Sequence, residues 1–308
     1  MMLGNIAIGL GAMAPAAMMN TLVRDFHLPP QVIGHLVAYA AIVMCIGAPG
    51  FAIMTNRWDR RWLLAGTMAL YVVGHIASIF VTSFAGLMAV RLLMISSAAI
   101  FTPQAAAVVG LITPPEARGK ATAHVFIGWS IATAFGMPVM AASADLIGWQ
   151  PVMAVIAAIS LIAGVGVWFT LPAGLRVAPL NRRDWFSLPR HPAIMALIGV
   201  TMLCSAGQFC LYPYVAAELK RITMAPEAQT AGLLALFGVS GLTGNRIAAT
   251  WVGRVGPARV NQVSLAMIML ALLLWATIAS GQVTAGLCIL IWGCGFASSN
   301  PMQQVRLG

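Results

Sequence analysis

Ten apolar runs divide this sequence of 308 residues, each about as long as the twenty residues a helix needs to cross a hydrocarbon core of about 30 Å. They lie at about 2–23, 31–55, 62–82, 84–112, 120–144, 149–171, 192–217, 228–251, 259–279 and 283–303. In hydrocarbon every backbone donor and acceptor has to be satisfied by protein, which leaves helices or a closed barrel. Barrel strands would alternate polar and apolar residues over about ten positions, and none of these runs alternates. The pattern predicts an all-α, multi-pass membrane protein embedded in the lipid bilayer.

Composition agrees and excludes other classes. Of all residues 60% are hydrophobic and 8% charged, against roughly 45–50% and 25% in a soluble domain. The net charge of +10 does not point to nucleic acid, because the basic residues are scattered among short loops rather than gathered on one soluble face. Cys45, Cys204, Cys210, Cys288 and Cys294 all fall inside apolar runs, without metal-ligand spacing; they read as small core residues. No metal or cofactor is expected. The first run has neither a basic leader nor a small-residue cleavage site, so a removable signal peptide is not expected.

The distribution of Lys and Arg sets the orientation. Arg57, Arg60, Arg61, Arg118, Lys120, Arg176, Arg182, Arg183, Arg190, Arg254, Arg259 and Arg306 fall on one side, and Arg24, Lys220 and Arg221 on the other. Twelve against three places the N-terminus in the cytoplasm. The only long connection, Leu171 to His191, is basic and proline-containing. It divides the chain into a six-helix bundle (1–171), a cytoplasmic linker (172–191) and four helices of a second bundle (192–308).

Positive-inside topology explains the sign of "TNRWDRR", residues 55–61, but not its spacing. The connection after the eighth run reads "WVGRVGPAR", residues 251–259, and follows the second run of its half just as the first does. Arg57 corresponds to Arg254 and Asp59 to Gly256. Duplicated halves of this kind point to a transporter with its site at their interface.

These residues resemble the major facilitator superfamily, in particular its drug:proton antiporter branch with sugar and chloramphenicol exporters. The family's loop pattern, G-x-x-x-D-R-x-G-R-R, falls on Ala52, Asn56, Arg57, Asp59, Arg60 and Arg61. Arg91 in "AVRLLMISSAAIF", the loop "PPEARGKA", and Gly136 with Pro138 in the fifth run extend the likeness. The resemblance implies two helical bundles related by a parallel repeat, a gating role for the arginine loops, and proton coupling at Arg91. It departs in two places. Asn56 and Gly253 stand where the family has acidic residues; there, the first-half aspartate caps a neighbouring helix and joins a charge relay that closes the cytoplasmic side. Asp59, one helical turn on, is the residue placed to take over part of that role. The family also has twelve helices, so the sequence is expected to be truncated after its tenth.

Other candidates follow from chemistry. Arg91 lies inside an apolar run, where an arginine costs about 2.5–3.5 kcal/mol on insertion scales and usually serves a purpose, although two turns from the helix start it is also within snorkelling reach. Arg246, near the inner end of its run, reaches the interface more easily. No Asp or Glu falls well inside a run. His75 is therefore the best-placed titratable group for coupling, the alternative being a neutral imidazole bonded to a neighbouring helix. Gly136 and Pro138 read as a kink with close helix approach. For the substrate cavity the expected residues are Asn5, Gln104, Trp129, Gln208, Tyr212 and Trp292, polar or aromatic groups in an otherwise apolar pocket.

The expected function is export of a small amphipathic, drug-like compound by a monomer of the bacterial inner membrane, in exchange for protons. A sugar or metabolite exporter of the same superfamily, or a non-transporting membrane subunit or fragment, is the alternative. A membrane enzyme would need clustered His, Asp, Glu or Ser at one membrane face, and the sequence has no such cluster.

Overall fold

The computed structural model describes residues 1–114, 118–176 and 191–307, and these are helical almost throughout, with no strand among them. Part of the loop "PPEARGKA" (115–117) and most of the expected linker (177–190) lie outside the described residues. The helices are α1 Met2–Ala17, α2 Met19–Phe26, α3 Pro30–Met54, α4 Arg60–Ile79, α5 Phe84–Ile112, α6 Arg118–Ile131, α7 Met137–Ile147, α8 Trp149–Thr170, α9 Pro192–Leu211, α10 Val215–Thr223, α11 Glu227–Val255, α12 Pro257–Ile278 and α13 Gln282–Leu307. A π-helical turn, Ala132–Gly136, joins α6 to α7, and a 3₁₀ turn, Tyr212–Tyr214, joins α9 to α10.

Among the described residues, eight helical stretches are long and apolar enough to span a membrane, and a ninth arises if α1 and α2, bent by 56°, count as one. Helix α11 has 29 residues and makes the tenth long segment, although Thr243, Asn245 and Arg246 make it less apolar than the rest. The ten runs thus reappear, three of them broken. Each break lies beside a proline, which withholds the N–H that the carbonyl four residues earlier requires. Pro15 precedes the bend at Met18, Pro138 follows the π turn, and Pro213 sits in the 3₁₀ turn.

Helices α1 to α8 pack chiefly on one another, with α4 against α5 and α8, α3 against α5, and α1 against α6 and α8. Helix α13 packs on both α11 and α12. The two groups meet where α11 lies along the π turn and α7, and where the 3₁₀ turn and α10 meet α1, α2 and α3. Apolar side chains that elsewhere would be buried point outward, for example Leu146, Phe169 and Leu203, at 82%, 78% and 76% exposure. That is the surface a bilayer covers. The protein is a multi-pass membrane protein.

Candidate functional site

A cavity of about 410 Å³ lies where the groups meet. Helices α1, α3, α5 and α6 supply Ala12, Met13, Gly34, Val37, Ala40, Met44, Arg91, Ile95 and Trp129; α9 and the 3₁₀ turn supply Phe209, Cys210, Pro213 and Tyr214. Its size and composition, apolar and aromatic with very few polar groups, suit a small organic molecule.

Among the described residues Arg91 is the only charged one on that wall, and it is 3% exposed. It does not snorkel. Its Nη1 donates to the Gly11 carbonyl at 2.8 Å, Nη2 to Ala12 at 2.7 Å and Nε to Leu36 at 2.9 Å. The first of these has a cause in the sequence: Pro15, four residues after Gly11, has no N–H, so the Gly11 carbonyl is orphaned within α1. Arg91 fills that vacancy from α5 and ties in α3 as well.

Gly11 is also where His75 arrives. A methyl group there would lie 2.7 Å from His75 Nε2 and would collide with the Tyr71 hydroxyl. Tyr71 donates from its hydroxyl to the Ile8 carbonyl at 3.1 Å, while His75 Nδ1 lies 2.9 Å from the Tyr71 carbonyl. A carbonyl only accepts, so Nδ1 carries the proton in the neutral ring and Nε2 is left with its lone pair. That nitrogen is buried with no hydrogen-bond partner. His75 and Arg91, the two coupling candidates, are thus brought onto the same turn of α1.

Of the six expected cavity residues, Trp129 lines the cavity. The others lie between helices. Asn5 donates to the Val125 carbonyl at 2.9 Å and accepts from Thr102 at 2.9 Å, joining α1, α5 and α6; Gln104 is buried on α5. Gln208 donates to Ser299 at 2.9 Å, and Ser299 in turn donates to Asn261 at 3.2 Å. Tyr212 donates from its hydroxyl to the Met137 sulfur at 2.6 Å and stacks on Phe296 with ring centroids 4.7 Å apart. Trp292 belongs to the same aromatic cluster. The Tyr212–Met137 bond is therefore a link between the two groups of helices. Tyr71, Gly11, Met137 and Tyr214 escaped sequence reasoning. The available signals were Tyr71 one turn before His75, and Pro15 one turn after Gly11.

Gly136 and Pro138 flank the place where the groups touch. Gly136 sits against Leu10 of α1. Pro138 deprives the Ala134 carbonyl of its usual donor, and Gly238 of α11 lies directly on that carbonyl, so close that no Cβ would fit. A small residue at this position is what allows the two helices to approach so closely.

The arginine loop divides its work unevenly. Asp59 is the N-cap of α4, accepting from the N–H of Arg61 at 2.8 Å and of Trp62 at 3.4 Å. Its other carboxylate oxygen accepts from Gly174 N–H, beyond α8. Arg60 is 2% exposed. Its guanidinium donates to the Thr55 and Asn56 carbonyls at 3.2 and 3.0 Å, and its backbone N–H donates to Leu175 at 2.9 Å. Arg61 lies over the Trp168 ring, 4.3 Å from its centroid, a cation–π contact. Arg57 and Arg254 are exposed, and Asn56 contributes its backbone carbonyl. No ion pair forms in this loop among the described residues; the described pairs, Arg24 with Asp25 and Asp145 and Arg221 with Glu218, are at the opposite end of the helices.

The sequence profile of the Major Facilitator Superfamily matches residues 1–307. The inner membrane transport protein YdhP of Escherichia coli (strain K12) is 24% identical over 308 residues, covering 99% of this chain and 78% of its own. A probable sugar efflux transporter of Pasteurella multocida (strain Pm70) is 24% identical over 95% of this chain and 72% of its own. A chloramphenicol efflux pump of Mycobacterium tuberculosis is 25% identical over 94% of this chain and 72% of its own. Among solved structures, nucleoside transporter NupG shares the fold with a TM-score of 0.74 at 16% identity, over 99% of this chain and 81% of that one.

Proposed function

The chain belongs to the Major Facilitator Superfamily and is a membrane transporter rather than an enzyme; from that premise we propose that it exports a small amphipathic organic compound by alternating access, in exchange for protons. The observation that carries the reading is the cavity of about 410 Å³ between the two groups of helices, apolar and aromatic with one cation on its wall. Rocking one group against the other around such a cavity exposes it to each side in turn.

In this reading residues 1–171 and 192–308 are the moving bodies and 172–191 the tether between them. The N-terminus is cytoplasmic, the membrane is the bacterial inner membrane, and the protein works as a monomer. YdhP, an inner membrane transport protein, and the chloramphenicol pump support the location and the direction. The close contact of Gly238 on Ala134 and the Tyr212–Met137 bond are the surfaces that slide. Docking of the Thr55–Arg61 loop on Gly174 and Leu175 is the lock on the cytoplasmic side. His75 Nε2, a buried lone pair, accepts the coupled proton, and Arg91 repels it when the site is to be emptied.

The test is flux in proteoliposomes. With an imposed pH gradient the purified protein is expected to move chloramphenicol, and His75→Gln to lose the dependence on the gradient. The reading fails if no drug or sugar tested moves in response to the gradient. A second reading, sugar export, draws on the Pasteurella relative. It is preferred if a pentose moves faster than chloramphenicol in the same vesicles.

A further inference from the structure

Arg91 carries five N–H groups on its guanidinium, and three of them are engaged by the carbonyls of Gly11, Ala12 and Leu36. Two remain, one on each terminal nitrogen. All three partners are neutral. Among the described residues no carboxylate pairs with Arg91, and Asp25, Asp59, Asp145, Glu218 and Glu227 all lie near helix ends. A buried charge without a counter-ion is costly. Carbonyl dipoles soften that cost but leave the full positive charge in place, at the wall of the cavity and in a medium where its field is weakly screened.

The rest of the wall specifies what accompanies the charge. Trp129, Phe209 and Tyr214 are aromatic, and Met13, Met44 and Ile95 are flexible or branched apolar groups. Among the described residues nothing else on the wall is charged. We propose that the cavity is a binding site for an apolar or aromatic carboxylate, with the anion on the two free N–H groups of Arg91 and the apolar body against Trp129 and Phe209. The guanidinium fork matches a carboxylate in geometry as well as in charge. This inference rests on the transport reading and deepens it by naming the substrate class. It also bears on the driving force. An inside-negative potential pushes an anion outward, so export of such a compound draws on the potential as well as on the pH gradient.

The experiment compares three molecules with one two-ring body and different charge: 2-naphthoate, 2-naphthylmethanol and 2-naphthylmethylammonium. Binding to the full chain in lipid nanodiscs is measured by calorimetry at pH 7.4. The expected result is that naphthoate binds at least tenfold tighter than the alcohol, and that the ammonium binds more weakly than either. Arg91→Lys should keep part of this preference and Arg91→Gln should abolish it. Because Arg91→Gln also removes three buried hydrogen bonds, one of them to the orphaned Gly11 carbonyl, and risks unfolding, Val37→Asp provides a second route. It sets an acid on the same wall while leaving those three bonds intact, and should reduce naphthoate binding at least tenfold. The proposal is overturned if the alcohol or the ammonium binds as well as naphthoate, if none of the three binds, or if Val37→Asp leaves the preference unchanged. Flux of chloramphenicol under a pH gradient is scored separately, so a working transporter that prefers the alcohol keeps the transport reading and loses this one.

Discussion

Two turns at equivalent places in the repeat do the same job with different means. Between α3 and α4 the chain takes five residues, Thr55–Asp59, while between α11 and α12 it takes one, Gly256. Asp59 and Gly256 are both N-caps of the helix that follows. Asp59 caps with its side chain from extended backbone, at φ −61° and ψ 128°, and reaches Gly174 at the same time. Gly256 has no side chain to cap with and sits at φ 81° and ψ 156°, a region open essentially to glycine. Pro257 follows it, so the first N–H of α12 needs no partner. The first turn is thus held by polar bonds to another segment, and the second by its backbone conformation and by hydrogen bonds to Val252 and Val260 of the two helices it joins. One is a turn tied to the segment after α8, the other a corner set by glycine.

The contrast can be broken most severely at Arg60. Arg60→Ala removes a buried guanidinium that satisfies the Thr55 and Asn56 carbonyls just past α3, and should cost about 3 kcal/mol, given that hydrogen bonds from charged groups contribute about 1.5–3 kcal/mol each. The measurement is unfolding of the protein in bicelles by SDS titration. Gly256→Ala comes next, with a loss of about 2 kcal/mol from strain at positive φ. Gly256→Asp should lose as much, because from that backbone the new carboxylate cannot reach the N–H groups that Asp59 caps. If Gly256→Asp stabilises instead, the two turns are interchangeable and the distinction fails. Asp59→Ala should cost about 1.5 kcal/mol as a lost cap and speed hydrogen exchange at Gly174, whereas Gly256→Ala leaves that amide protected. The smallest effect is expected from Asn56→Asp. The side chain makes no bond that the stability depends on, so the change should stay below about 0.5 kcal/mol and alter flux by less than twofold. A larger change in flux would assign position 56 a part in the lock.

The parts of the fold that follow from apolar length were readable in the residues. All ten runs appear as helical segments because hydrocarbon leaves the backbone no alternative. Their interruptions were less readable, since a proline announces that a carbonyl is orphaned but not whether the helix then bends, as after Pro15, widens, as before Pro138, or tightens, as at Pro213. At the site, Arg91 and His75 stood out as polar groups in apolar surroundings. Their meeting point on α1 did not, because Gly11 contributes a carbonyl and an absence of side chain, and neither leaves a mark in the sequence beyond Pro15. Arg60 is the opposite case. In a loop full of arginines it reads as a solvated charge that sets topology, yet it is the buried one, and only its bond to the end of α3 tells it apart from exposed Arg57.

The three bonds of Arg91 all end on main-chain oxygens, and backbone atoms do not mutate. Gly11, Ala12 and Leu36 can therefore change side chains without disturbing the guanidinium, provided position 11 stays small enough for Tyr71 and His75. In an alignment of relatives, Arg91 is then expected to show no covarying partner at its contact sites. The position that should drift together with it is 15, out of contact, where a proline creates the vacancy. Wherever that proline gives way to another residue, α1 recovers its own hydrogen bond, and the arginine loses the first of its three reasons to stay.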